Sequence, residues 1–271
     1  MKFDRRDFVK TAALASMAAA IGTKASGADV RRVGEPTLAR DYYELRSYRL
    51  KPEAPHELLD AYLEKALIPA LNTRGIKAVG VFIEPEAKDG PAMWVLIPHA
   101  SLESVAEVTA SINTDPSVQA AAAEYLMTPS RTTPAFDRID SWLLLAFAGL
   151  PRYAVPALAR EGKSRIFEMR TYESYSEAKA LNKVAMFNDG EIELMQTLNM
   201  SPVFYGQALV GRDLPHLTYM LCSADRERHA KAWTEFGKHP VWQKLRSDPR
   251  YQDNVSKITS RFMIPTAYSQ I

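Results

Sequence analysis

The chain has 271 residues, of which 46 % are hydrophobic and 24 % charged, with a formal net charge of +2 and a single cysteine. This composition is typical of a globular protein with enough apolar residues for one large domain or two smaller ones. A single cysteine excludes an internal disulfide, and the sequence has no CxxC pair or His/Cys cluster with metal-binding spacing. Stability must therefore come from packing.

The N-terminus has the pattern of an export signal. The pair Arg5 and Arg6 stands ahead of Phe8, and an apolar, alanine-rich run covers residues 11–21. That run is shorter than the roughly 20 residues that a membrane-spanning helix needs. The arginine pair followed by Phe resembles the twin-arginine type of signal, so we predict a signal peptide over residues 1–28 and export to the periplasm or the extracellular space. The alternative is a basic N-terminal helix of the mature fold.

Removal of residues 1–28 changes the charge balance. It leaves 29 basic and 30 acidic residues, so the mature chain has a net charge of about −1. No basic stripe remains that would favour nucleic acid or an anionic membrane. We expect no nucleic-acid partner and no stable membrane insertion after the signal is removed. A small-molecule ligand, a protein partner and oligomerisation of the chain stay open.

One short pattern occurs twice, 124 residues apart. YYELRSYRL at 42–50 and RIFEMRTYE at 165–173 each place a Glu, an Arg and a Tyr two residues apart. Further matches follow in the same order and at nearly the same offset, such as DPSVQ in the first copy and HPVWQ in the second. This repetition indicates a duplicated folding unit.

Within the first copy, the apolar periodicity changes between a period of two and a helical period. The expected elements are, in chain order, strand 42–50, helix 56–72 with Pro69 near its end, strand 77–84, a turn at Gly90, strand 92–97, a helix capped by Ser101 and strand 136–147. The second copy repeats this order. Two successive β-α-β-β-α-β units are two ferredoxin-like repeats.

The duplicated unit predicts an α+β protein of tandem ferredoxin-like repeats. We place the first repeat at 40–148, a Pro- and Gly-punctuated linker at 149–163 and the second repeat at 164–271. A four-stranded sheet with helices on one face leaves its other face bare, so the two sheets should pack together as an intramolecular dimeric α/β-barrel. Two repeats packed in another way are the alternative.

The residues of both copies are similar to those of the NIPSNAP family. The resemblance rests on the two Glu-x-Arg-x-Tyr strands, the segment IPALNTRGIKAVGVF and the Asp-Pro and His-Pro turns at 115–116 and 239–240, and it extends from about Tyr42 to Ile264. It implies the dimeric α/β-barrel fold, often in tandem copies, and an activity on which there is no agreement for exported bacterial members. The wider superfamily includes cofactor-free monooxygenases, haem-degrading enzymes and small isomerases, and a shared fold does not choose among them.

Six residues of the repeated strands are candidate ligand contacts: Glu44, Arg46, Tyr48, Glu168, Arg170 and Tyr172. Residues two apart share a strand face, so each triplet points one way and apolar neighbours such as Phe167 and Met169 point the other. We expect the apolar face under the helices and the Glu/Arg/Tyr face in the interior between the sheets. There the arginines could hold a carboxylate or phosphate. Alternatively, the charges neutralise one another within and between the sheets and set the register of the two halves.

Three other residues were considered for chemistry. His99 is a candidate general base because it follows the third strand and precedes a helix cap, and a histidine in a surface turn is the alternative. Cys222, whose counterpart in the first copy is near His99, is expected to be a small buried hydrophobe. His239 precedes Pro240 as Asp precedes Pro in the first copy, which predicts a helix-entry residue rather than a metal ligand.

No metal site and no cofactor are predicted. The expected function is that of an exported protein of undefined activity that binds a small molecule or another protein. The alternative is a cofactor-independent monooxygenase- or isomerase-like enzyme with a pocket between a sheet and its helices.

Overall fold

The computed structural model describes residues 39–50, 56–87, 90–127, 129 and 134–271. The predicted signal peptide lies outside these residues. Within them, no helix has the length and apolar character needed to cross a membrane.

The strands of the described residues are β1 Tyr42–Arg49, β2 Gly80–Glu84, β3 Ala92–His99, β4 Arg138–Ala146, β5 Ile166–Glu173, β6 Pro202–Val210, β7 His216–Ser223 and β8 Lys257–Pro265. They form a closed antiparallel barrel in the order β1-β3-β2-β8-β5-β7-β6-β4. Each half contributes a sheet with the strand order of a ferredoxin-like unit. The pairs β2–β8 and β4–β6 join the halves. The predicted fold class is confirmed.

Helices cover the outside of each half. They are α1 Glu57–Tyr62, α2 Ile68–Thr73, α3 Leu102–Ser111, α4 Pro116–Ala121, α5 Ala123–Met127, α6 Ala157–Arg160, α7 Glu177–Met186, α8 Ile192–Thr197, α9 Arg226–Lys238 and α10 Pro240–Ser247. The Ser101 hydroxyl accepts from the backbone N–H of Ser104 (3.3 Å), which confirms the predicted cap of α3. His239 accepts from a backbone N–H at the start of α10 as Asp115 does at α4, so its predicted place at a helix entry is also confirmed.

The barrel interior is filled by apolar side chains from both halves. Tyr43 and Leu45 of β1 belong to one buried cluster with Phe167 and Met169 of β5. The rings of Phe82 and Phe167, one from each half, lie 4.9 Å apart. The expectation that the apolar strand faces lie under the helices, with Glu/Arg/Tyr in the interior, is therefore wrong.

The reason for this inversion is that both faces of each sheet are buried. Strand periodicity shows which residues share a face, but both the interior and the layer under the helices need apolar contacts. The interior of an eight-stranded barrel is narrow and is filled by side chains from all strands. The triplets therefore face outward, where Tyr48 and Tyr172 join the two clusters beneath the helices.

Both halves contain the same irregularity in their first long helix. A π-helical turn at Leu63–Leu67 separates α1 from α2, and another at Phe187–Glu191 separates α7 from α8. Gly190 lies inside the second turn with a φ of 159°. Pro69 lies in the first turn of α2, where its missing N–H costs little.

A buried ion pair spans the second π-helical turn. Lys183 Nζ contacts Glu191 Oε1, and neither side chain is more than 4 % exposed. Burial raises the pKa of Glu191 even though Lys183 opposes that change. The residues 124 positions earlier are Leu59 and Leu67, which are fully buried. At these equivalent buried positions, the second copy has an ion pair and the first copy has two leucines.

We predict that removal of one partner of this pair destabilises the protein more than removal of both. Lys183→Leu leaves the Glu191 carboxyl group without its cation and is expected to lower the free energy of unfolding by about 3–5 kcal/mol. The double variant Lys183→Leu/Glu191→Leu reproduces the leucines of the first half and should come within about 1–2 kcal/mol of the parent. Urea denaturation at neutral pH measures both. A double variant as unstable as the single one would contradict the prediction.

Candidate functional site

In the first half, the predicted triplet is a buried polar cluster under the helices. Arg46 Nε donates to Glu44 Oε1 at 2.6 Å, and the other carboxylate oxygen lies 3.6 Å from His99 Nε2. Burial opposes the negative charge, but the contacts with His99 and Arg46 lower the pKa of Glu44 to about 2. The Glu44 carboxylate is therefore ionised.

His99 lies at the end of β3 beside the start of α3, where the sequence places it. Its side chain is fully enclosed. Its Nδ1 lies 3.0 Å from the Ser104 hydroxyl, and its Nε2 faces Glu44. A general base needs a ring nitrogen that can reach a ligand. Nδ1 has a hydrogen-bond partner, whereas Nε2 lies beyond hydrogen-bond distance of Glu44 and has none among the described residues. The catalytic role of His99 stays a prediction.

In the second half, Glu168 is the centre of a denser network. Its Oε1 accepts from Arg170 Nη1 (2.8 Å) and from the Ser260 hydroxyl (2.5 Å). Its Oε2 lies 2.7 Å from His229 Nε2 and accepts from Trp233 Nε1 (2.9 Å). Burial again opposes the charge, but these donors lower the pKa of Glu168 to about 2.

Arg170 is held on three sides. Besides its contact with Glu168, its Nε donates to the Tyr172 hydroxyl at 3.3 Å, and its guanidinium lies 4.6 Å from the centre of the Trp233 ring. The Tyr172 hydroxyl in turn lies 2.9 Å from that of Tyr219. Both arginines of the repeated motif therefore neutralise the glutamate two residues before them, as the structural interpretation predicts within each sheet. The prediction that these charges also pair between the two sheets is wrong. Ligand contact by the six residues stays a prediction.

Sequence reasoning missed His229 and Trp233. It placed Cys222 or Ser223 in the position that corresponds to His99, whereas the structure brings His229 of α9 against Glu168. The available signal was the spacing of the two residues, since positions four apart share a helix face. Nothing in that spacing indicates which strand residue the face meets.

A cavity of about 480 Å³ opens at one end of the barrel. Its wall includes inward-facing residues from the C-terminal parts of β1 and β5: Ser47, Arg49, Thr171 and Glu173. Trp94 and Trp142 provide its aromatic surface, with nearly parallel rings 5.7 Å apart. The cavity is therefore formed by both halves, and no local sequence pattern indicates it.

The opposite end of the barrel is filled. The Tyr43 ring lies 6.0 Å from Tyr153 of the linker and 5.0 Å from Phe204. Ile271 is fully buried in the same cluster. Side-chain packing fills that end, and the cavity lies toward the other end.

Several charged side chains at the cavity are paired with opposite charges. Asp140 contacts Arg212 at 3.1 Å and Arg49 at 3.5 Å. Lys257 contacts Glu173 at 2.8 Å. Because the wall has four cationic and five acidic side chains, the cavity has no strong charge of one sign.

The two tryptophans of the aromatic surface contact several of the charged side chains. Trp94 Nε1 donates to Glu84 at 2.9 Å, and the Arg261 guanidinium lies 5.4 Å from the centre of a Trp94 ring. Arg212 lies in the same way 5.9 Å from Trp142. Such cation–π contacts hold each arginine over an aromatic face.

His216 adds a neutral polar group to the wall. Its side chain lines the cavity and is 3 % exposed, and its Nε2 has no hydrogen-bond partner among the described residues. Burial lowers the pKa of His216. A buried imidazole nitrogen without a partner costs free energy, so a polar ligand atom within reach would be favoured.

Cys222 is buried and free of disulfides. Burial raises the pKa of its thiol to about 12, which agrees with the predicted small buried hydrophobe. In the part of the chain that the structure describes, no three His, Cys, Asp or Glu side chains are grouped as a metal site would require.

The sequence profile of the NIPSNAP family matches residues 43–130 and 167–270, which are one segment in each half. No curated protein matches the chain. An uncharacterised NIPSNAP-like domain protein from Burkholderia xenovorans is 18 % identical over 39 % of this chain and 88 % of its own, with a TM-score of 0.35.

Two solved structures share the fold across both halves. A protein named "putative monooxygenase" from Lactobacillus acidophilus is 7 % identical, with 83 % of this chain and 94 % of its own covered and a TM-score of 0.54. One with the same name from Fusobacterium nucleatum is 7 % identical over 84 % and 93 %, with a TM-score of 0.52. At such low identity the likeness concerns the fold alone.

Glu168 gives a prediction for stability at low pH. Its pKa is lowered from 4.5 to about 2, so its ionised form stabilises the folded state above pH 4.5, and this contribution is lost as the pH falls toward 2. Glu168→Gln should lower the free energy of unfolding at pH 7 by about 2–4 kcal/mol, because Arg170 and His229 lose their anion. Between pH 4.5 and 2 the variant should lose less stability than the parent.

Urea denaturation at several pH values checks this prediction, with Glu193→Gln on the exposed face of α8 as the matched control. The control should follow the parent across the whole range. Parallel curves for Glu168→Gln and the parent below pH 4.5 would show that Glu168 is not the source of the dependence.

Proposed function

The chain belongs to the NIPSNAP family, and we propose that it is an exported binding protein whose ligand is a small polar molecule with a planar apolar part, held in the barrel cavity. The observation that carries the proposal is the cavity of about 480 Å³ to which both halves contribute wall residues. This size lies within the roughly 300–1,000 Å³ of small-molecule sites.

The chemistry of the wall supports this ligand class. Trp94 and Trp142 offer a flat apolar surface, and the unpartnered Nε2 of His216 offers a hydrogen bond to a polar atom. The paired charges around Asp140 and Glu173 disfavour a ligand with a large net charge. An apolar surface with a few placed polar groups is the usual composition of a small-molecule site.

A small molecule fits this site better than a protein partner does. The aromatic surface lies inside the barrel. A segment of a partner protein would need an open groove or a free sheet edge to reach it. Cofactor-independent monooxygenase or isomerase chemistry is the other candidate for the fold. In the barrel cavity the carboxylates Asp140 and Glu173 are each engaged by cations, so we assign binding rather than proton transfer to it.

Binding can be tested with prodan, a neutral planar naphthalene whose emission shifts to shorter wavelength in apolar surroundings. We expect prodan to bind the parent with this shift and to accept excitation energy from Trp94 and Trp142. Thr171→Phe places a ring in the cavity and should weaken binding at least tenfold, which corresponds to about 1.4 kcal/mol.

Thr197→Phe is the matched control, because Thr197 is exposed at the end of α8 and is not part of the cavity wall. This variant should bind prodan as the parent does. Equal affinities of the two variants would place the probe elsewhere and would contradict binding in the barrel.

Export can be tested separately. The double variant Arg5→Lys/Arg6→Lys keeps the charge of the predicted signal but removes the arginine pair, so the uncut precursor should accumulate inside the cell. Lys24→Arg, near the expected cut, should leave export intact. Cell fractionation and N-terminal sequencing of the exported form check both, and normal export of the double variant would rule out the twin-arginine assignment.

A further inference from the structure

A second cavity lies on the outer side of the second half and shares no lining residue with the barrel cavity. Its volume is about 300 Å³, and it lies between the end of β7, the turn before β6 and the first turns of α9. Ser201, Cys222 and Ser223 form part of its wall, and His229 closes one side. Arg228, Lys231 and Glu235 of α9 are the charged residues of the wall.

The orientation of the His229 ring follows from Glu168. The Glu168 carboxylate is ionised and can only accept hydrogen bonds. It lies 2.7 Å from His229 Nε2, so Nε2 must carry the hydrogen and donate it. Trp233 Nε1 donates to the same oxygen and lies 3.0 Å from Nε2. In the neutral ring, Nδ1 is therefore the nitrogen that bears the free lone pair.

Nδ1 of His229 makes no hydrogen bond to any residue in the described part of the chain, whereas Nε2 is engaged. In the first half the arrangement is closed, because Nδ1 of His99 lies 3.0 Å from the Ser104 hydroxyl and the His99 side chain is fully enclosed. The two copies therefore differ in one respect that matters for chemistry. Only in the second copy does a cavity have a histidine in its wall whose ring a neighbouring carboxylate orients.

We propose that His229 is a catalytic base that accepts a proton at Nδ1 from a small neutral carbon acid bound in this second cavity, and that Glu168 is the positioning residue that orients the ring. The C–H bond of the ligand breaks, its electron pair stays on the ligand as a carbanion or enolate, and the proton forms an N–H bond at Nδ1. Return of that proton to the same or another carbon completes an exchange or an isomerisation, so no further reactant is needed.

The charges around the ring suit this step. Glu168 stabilises the imidazolium that forms, as a carboxylate does in other imidazole-dependent sites. Arg228 and Lys231 of α9 line the same cavity and favour the anion left on the ligand, and Glu235 is the acidic residue on that helix face. Arg170 of β5 already balances Glu168. From β8, the Ser260 hydroxyl and the Phe262 ring complete the surroundings.

The test uses the mature chain and 5-nitrobenzisoxazole, a carbon acid small enough for the cavity. A base removes its ring C–H proton, the N–O bond breaks, and a coloured cyanophenolate forms without any other reactant. We expect the parent to exceed the rate of free imidazole at equal concentration by roughly 100-fold, the usual size of a positioned base. His229→Asn should lose this acceleration.

Three further variants separate chemistry from structure. Ser223→Trp fills the cavity from the end of β7 and leaves Glu168 and His229 unsubstituted, and it should abolish the acceleration. Glu168→Gln should lower kcat about tenfold or more with KM little changed, because an amide no longer imposes the tautomer, and Glu168→Asp should restore part of kcat. Circular dichroism shows that each variant is folded.

His56→Asn, on an exposed histidine at the start of α1, is the control and should keep the full rate. A parent rate no higher than that of imidazole overturns the proposal. An unchanged rate in His229→Asn or Ser223→Trp also overturns it. A loss of rate in His99→Asn equal to that in His229→Asn overturns it as well, because the base would then lie in the first half.

Discussion

Closure of two four-stranded sheets into one barrel determines where the other groups of this protein lie. The pairs β2–β8 and β4–β6 join the halves, and the enclosed space must then be filled by side chains from every strand. Aromatic and aliphatic residues such as Phe82, Phe167 and Met169 fill it. The charged residues of the repeated motif are consequently turned outward. Incomplete filling at one end leaves the cavity beside Trp94 and Trp142.

Joining both copies in one chain allows equivalent positions to differ. In a dimer of identical subunits, a residue on one side of the two-fold axis must recur on the other. Here Trp94 and Thr218 face the cavity from equivalent places in β3 and β7, each opposite the same position of the central strand. Arg49 and Glu173 also occupy equivalent positions of the two copies, and their charges are opposite. The barrel cavity is asymmetric for this reason. The second cavity, which His229 lines, is likewise a feature of the second half.

Among the described residues, the buried glutamates Glu44, Glu168 and Glu191 show how hydrogen-bond donors decide the charge state of a carboxyl group. Glu168 accepts four donors and Glu44 has a guanidinium and an imidazole beside it, and both have a lowered pKa. Glu191 has Lys183 as its partner in an apolar cluster, and its pKa is raised. Desolvation raises the pKa in all three cases, so the donors decide the sign. The Glu168 network is accordingly the better anchor for an imidazolium.

The sequence by itself determined the fold class and the local structure. The 124-residue repetition, the strand alternation and the Ser101 and His239 caps depend on neighbouring residues along the chain, and local periodicity and capping contain that information. The Glu–Arg pairs at spacing two are of the same kind. These features could be predicted because they require no knowledge of what packs against the element.

Only the tertiary structure decided which face of each sheet turns inward, where the cavities lie and which histidine meets Glu168. Both sheet faces are buried, so hydrophobicity alone does not distinguish the barrel interior from the layer under the helices. His229 lies 61 residues from Glu168 in the chain, and the contact exists because α9 packs on β7, the neighbour of β5 in the sheet. Long-range packing, rather than any local pattern, brings the chemical groups of this protein together.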